Sequence, residues 1–230
     1  MLSKLSLGAA AALCGLQLAA AQDPAGYLIS FGNSYTQTGF DINGAKASQA
    51  NPLGNPDLPG WTTTGGLNWV GQLVTAFNNG VVYSYNFADG GATVDASIVP
   101  PYTETVKSLA DQVENYSGTL GTKPDYAPWT PENAIVAVWI GVNDVGNSWY
   151  QPDAQDIATR VVARYFELLQ DIYATGIRQF ALLNVPRKFR SFFFSSFTPN
   201  ASSQRERGSL TLTLALTIAL ALAASFFFPP

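Results

Sequence analysis

Histidine is absent from all 230 residues. Imidazole is the side chain best suited to act as a general base or metal ligand near neutral pH, so any site here must be read without it. Cysteine is nearly absent too: Cys14 is the single one. It falls in a segment expected to be removed, which leaves no disulfide and no thiol chemistry. A zinc site would then have carboxylates alone, a donor set that argues against zinc. Charge is sparse as well, with 12 basic and 16 acidic residues, a net charge of -4 and no basic run. That excludes nucleic acid as an expected partner. There is no glycine fingerprint for a dinucleotide, and no cofactor is expected.

What is present begins with an address. Lys4 precedes an apolar stretch over residues 5–18, and Ala19, Ala20 and Ala21 offer a small-residue cleavage site. This is the pattern of a secretory signal peptide over residues 1–21, too short for a membrane span. A secreted, extracellular chain starting near Gln22 is expected, long enough for one domain with a sizeable core. Asn115-Tyr116-Ser117 and Asn200-Ala201-Ser202 are glycosylation sequons and suit a secreted surface.

From residue 27 to 186 apolar runs alternate with amphipathic stretches. Strands are predicted over 27–31, 81–87, 134–140 and 179–184. Helices are predicted from Asn68 as cap to a stop at Gly80, over 103–116, and over 153–175 with an apolar face of Ile157, Val161, Tyr165, Leu168, Leu169 and Ile172. Residues 41–66 are rich in Gly, Pro, Asn and Thr and read as a long loop. Strands alternating with helices predict a three-layer α/β/α sandwich with a mostly parallel sheet. Sites in such sheets form at the carboxyl ends of the strands.

Three predicted strand ends carry candidate chemistry. Gly32-Asn33-Ser34 follows the first, Asp89-Gly90-Gly91-Ala92-Thr93 the second, and Gly141-Val142-Asn143-Asp144 the third. On one sheet edge, a serine, a glycine-rich turn and an asparagine would converge. Acyl transfer requires such a set: an attacking hydroxyl, and N–H donors for the oxyanion. Each piece alone is also ordinary turn or cap chemistry. No G-x-S-x-G elbow occurs, so the common α/β-hydrolase arrangement is not the template.

The blocks Leu28-Ile29-Ser30-Phe31-Gly32-Asn33-Ser34-Tyr35-Thr36, Gly60-Trp61-Thr62-Thr63, Asn68-Trp69-Val70, Asn86-Phe87-Ala88-Asp89-Gly90-Gly91-Ala92-Thr93 and Trp139-Ile140-Gly141-Val142-Asn143-Asp144 resemble the SGNH, or GDSL, hydrolases. Among these they resemble the secreted fungal acetylesterases of carbohydrate esterase family 16. The resemblance covers about residues 27–186. It implies a flavodoxin-like fold and hydrolysis of O-acetyl groups on cell-wall carbohydrate. It also implies Ser34 as nucleophile, with Gly91 and Asn143 joining the Ser34 N–H in the oxyanion hole. Trp61 has two readings, sugar contact or core packing. A monomer acting on a small ester or acetylated carbohydrate is expected.

Two departures from that pattern stand out. Asn33 occupies a position where the family usually has Asp. The family's closing Asp-x-x-His block, which supplies the base, has no counterpart. After Pro186 the pattern stops abruptly. Residues 187–230 hold a Phe/Ser run and an uncharged Leu/Thr/Ala stretch over 210–228. Arg187-Lys188-Phe189 can be encoded by a string containing GTAAGT, so a translated intron is one expectation. The domain division expected is 1–21 signal, 22–186 hydrolase domain lacking its C-terminal part, and 187–230 aberrant apolar tail. A membrane span or lipid-anchor signal at 210–228 is the rival expectation, and a buried strand a third. For function, the alternatives to an esterase are a sugar-binding pseudoenzyme and a truncated product that scarcely folds.

Overall fold

The computed structural model describes residues 26–186; the expectations for 1–21 and for the tail, 187–230, lie outside the described residues. Four strands form one sheet: β1 Gly26–Gly32, β2 Val82–Asn86, β3 Ala134–Trp139 and β4 Gln179–Leu183, in the order β2-β1-β3-β4. Every pairing is parallel, with Ser30 opposite Asn86 and Gly32 opposite Trp139. The expected parallel α/β architecture is therefore the observed one.

The period-two alternation of β1 divides the core between the two faces. Tyr27, Ile29 and Phe31 join the larger cluster, where Val136, Val138 and Tyr85 meet apolar residues of two helices, α2 Leu109–Gly118 and α4 Ala154–Ala174. Leu28 and Ala137 point the other way and pack on Val70 and Val74 of α1 Trp69–Thr75, with Leu53 from the long loop. Helices thus lie on both faces, as a parallel sheet demands. The α4 stripe of Ile157, Val161, Tyr165, Leu168, Leu169 and Ile172 is buried throughout. Each such side chain contributes roughly 1.5–3 kcal/mol by leaving water.

Three elements differ from the sequence expectation. Helix α1 stops at Thr75, short of the expected stop at Gly80, and Phe77, inside the expected span, is 76% exposed. Helix α2 starts at Leu109 rather than near Thr103, because Ser108 and Asp111 form a reciprocal capping box that fixes its first turn. Finally, Val142–Ser148 forms a short helix, α3, directly after β3, where only a turn or cap was foreseen. Residues 41–66 contain no helix or strand, as expected.

Candidate active site

The first strand end is built for close approach. Gly32 has φ +145°, and a side chain there would run into the Trp139 carbonyl oxygen of β3. Its backbone is gripped by a buried amide from α2. The Gly32 N–H donates to Gln112 Oε1 at 2.9 Å, and Gln112 Nε2 donates to the Gly32 carbonyl at 2.9 Å. The chain then turns. The Asn33 carbonyl accepts from the N–H groups of Thr36 and Gln37, both at 2.9 Å. Asn33 Oδ1 accepts from the Tyr35 N–H at 3.0 Å, the side-chain turn that Asx residues make. A neutral oxygen thus fills the position where a carboxylate was expected. Ser34 sits half-buried within this turn, and its carbonyl accepts from Thr63 Oγ1 at 2.8 Å.

The second and third strand ends are tied to each other. After β2, the Asp89 N–H donates to the Gly32 carbonyl at 3.1 Å, and the Ala92 N–H to the Asp89 carbonyl at 3.2 Å. Gly91, inside that turn, has φ +88°, and a side chain there would strike the Tyr102 ring. Asn143, the second residue of α3, donates from Nδ2 to the Ala92 carbonyl at 2.8 Å. An amide carries two hydrogens, so this bond orients the group while leaving one to offer. Next to it, Asp144 Oδ1 accepts from the Val94 N–H at 3.0 Å. Two consecutive residues of α3 therefore hold two alternate residues of the β2 loop.

Asp144 is 2% exposed, and its Oδ2 has no partner among the described residues. Burial pushes its carboxyl up to about 7, against the pull of the Val94 N–H and its own N–H. The neighbouring Asp95 carboxylate adds to the rise.

Of the residues singled out from sequence, Gly91 and Asn143 are joined through Ala92, and Ser34 follows the strand that lies between β2 and β3. Trp61 is 73% exposed, so its ring is at the surface rather than in the core. Its backbone N–H donates to the Thr38 carbonyl at 2.8 Å, and its ring lies on Gly39, just past the serine turn. Sequence reasoning missed Gln112 and gave Asp144 no role. Gln112 had a readable signal: it is a polar residue on the helical face of Leu109, Val113 and Tyr116. Among the described residues no group of three His, Cys, Asp or Glu side chains could hold a metal ion. None of the helices there is long and apolar enough to cross a membrane.

Several known proteins are similar to this chain. The chain is 58% identical over 160 residues to an acetylesterase of Thermothelomyces thermophilus, covering 70% of this chain and 53% of that protein. It is 31% identical over 169 residues to an acetylesterase of Hypocrea jecorina, covering 69% of this chain and 47% of that one. The chain thus spans about half the length of the curated relatives it matches. Among solved structures, an extracellular lipase from Streptomyces rimosus aligns with a TM-score of 0.48 at 13% identity, covering 88% of this chain and 77% of that one. The profile of the GDSL-like lipase/acylhydrolase family matches residues 28–207, and the chain belongs to that family.

Proposed function

We propose that this chain carries the nucleophile and oxyanion half of a secreted serine esterase acting on O-acetyl groups of carbohydrate. The observation that carries the reading is the bond from Asn143 to the Ala92 carbonyl, beside Gly91 and at the sheet edge that bears Ser34. Two relatives named acetylesterases support the acyl group, and the exposed Trp61 ring supports a sugar as the alcohol.

In this reading Ser34 Oγ attacks the acetyl carbonyl carbon and loses its proton to solvent water, which later returns one to the leaving sugar oxygen. Negative charge develops on the carbonyl oxygen, where the N–H groups of Ser34 and Gly91 and the free amide hydrogen of Asn143 receive it. Collapse expels the sugar oxygen, which takes a proton, and leaves acetyl-Ser34. Water then attacks that ester and releases acetate.

No imidazole in these residues can take the serine proton. Losing the base of a serine hydrolase lowers turnover by about a millionfold, leaving what the oxyanion donors and binding supply. Slow, Ser34-dependent chemistry is expected of the chain as it stands. The missing imidazole favours a second reading, a protein that binds acetylated sugar without cleaving it. Incubation with p-nitrophenyl acetate followed by peptide mass spectrometry separates the two. Acetyl on Ser34, absent in Ser34→Ala, supports the esterase; no adduct at all favours the binder. Turnover within tenfold of a histidine-bearing acetylesterase would contradict the expected handicap and require another base.

The same proposal includes secretion through residues 1–21 and a tail, 187–230, foreign to the hydrolase domain, although the family profile reaches residue 207. A tryptic peptide spanning 191–205 in secreted material would argue against the foreign tail.

A further inference from the structure

Two of the most exposed aromatic side chains border the candidate site. Tyr102 is 74% exposed, yet its ring rests on Gly91, so closely that a methyl group on Gly91 would collide with it. Trp61 rests in the same way on Gly39, with its Cε3 2.8 Å from where a Cβ would stand. Between these two contacts lies Gln37. Its side-chain amide presses on Gly90, the neighbour of Gly91, and it is two residues from Gly39 in the serine turn. Tyr102 and Gln37 thus both lie against the Gly90–Gly91 turn, and Trp61 lies against Gly39, two residues along the chain from Gln37.

Gln37 is partly buried and its side chain makes no hydrogen bond among the described residues, although its backbone is fixed by Asn33 and Asn68. Asp89, next to Gly90, accepts from the Lys107 N–H at 2.8 Å. These residues thus offer two apolar ring surfaces and one neutral group that both donates and accepts, with its backbone held in advance. A sugar ring has the matching features: C–H faces that cover aromatic surface, and hydroxyls that pair with an amide. A fatty alcohol would leave the amide unpaired, and an anionic ligand would find no cationic side chain among these residues.

We propose that Tyr102, Gln37 and Trp61 form a subsite beside Ser34 for a neutral pyranose ring, with Gln37 reading a hydroxyl between the two aromatic side chains. The proposal rests on the esterase reading for its choice of sugar, but its test does not depend on ester cleavage.

The test is calorimetric titration of the full chain with xylohexaose, which carries no ester, and with 1-octanol as an apolar alcohol. Binding of xylohexaose and not of octanol is expected. Tyr102→Ala and Gln37→Leu should each weaken it by roughly threefold to tenfold, the scale of one aromatic contact or one hydrogen bond. Tyr150→Ala removes an equally solvent-facing ring, 64% exposed, outside this group, and should leave binding unchanged. Wild-type affinity in both Tyr102→Ala and Gln37→Leu, equal weakening by Tyr150→Ala, preference for octanol, or no xylohexaose binding would each overturn the subsite. If xylohexaose binds as described while Ser34 is never acetylated, the esterase reading fails and the subsite stands.

Discussion

The inner half of the site and its rim are held by different physics. Inside, side chains from distant parts of the chain fix the backbone: Gln112 holds Gly32 at 80 residues' separation, Asn143 holds Ala92 at 51 and Asp144 holds Val94 at 50. Gln112 and Asp144 are buried, and each donor or acceptor they supply replaces one that water cannot reach. On the rim, Trp61 and Tyr102 are about three-quarters exposed and are placed by packing on glycines. Stabilising a developing charge requires donors fixed before the reaction. Recognising a neutral sugar requires surface that stays bare until the ligand covers it. The contrast predicts that inner substitutions shift stability and rate, whereas rim substitutions shift affinity alone.

The largest expected stability effect tests the inner half through pH. The Asp144 carboxyl is raised by burial from 3.8 to about 7 in the folded state. Between those values the unfolded chain has lost its proton while the folded chain keeps it, so stability falls as pH rises. The loss is fully present only above pH 7 and amounts to at most about 4 kcal/mol. Asp144→Asn keeps an oxygen for the Val94 N–H and removes the titration. Urea unfolding at pH 4.5 and 8 should show the wild type losing stability and the variant losing far less. Parallel pH dependence in the two proteins would mean that Asp144 titrates normally.

The smallest expected effect tests the rim. Trp61→Ala removes a ring that is 73% exposed, so its unfolding free energy should stay within about 0.5 kcal/mol of wild type. Xylohexaose affinity should fall in the same variant. A loss of several kcal/mol would show that Trp61 staples the long loop, which would blur the division between halves.

Much of this contrast was legible in the sequence, and its gaps have physical causes. Strands of continuous apolar residues and the long α4 stripe give strong periodic signals, so the parallel fold followed from them. The three strand ends followed because glycine and asparagine mark sharp turns after such runs. Helix α3 stayed hidden because Val142–Ser148 is short and rich in Gly, Asn and Ser, poor helix formers held here by packing at a strand end. The start of α2 was misplaced because Val106 continued the apolar spacing, while the Ser108–Asp111 box set the actual boundary. The grip of Gln112 on Gly32 spans 80 residues, and no local pattern reports a partner at that distance. The exposure of Trp61 and Tyr102 was equally unreadable, since aromatic residues serve cores and surfaces alike.

The central claim is that the oxyanion donors are assembled around Asn143 before any substrate arrives. The rate of Ser34 acetylation by p-nitrophenyl acetate, measured in the full chain and in Asn143→Ala together with melting temperature, tests it most directly. Removing one such donor should slow acetylation by about a hundredfold to a thousandfold with little change in apparent substrate affinity. The lost bond to Ala92 should cost only about 1 kcal/mol of stability. A variant that melts lower but acetylates Ser34 at the wild-type rate would contradict the claim and reduce Asn143 to a clamp on the β2 loop.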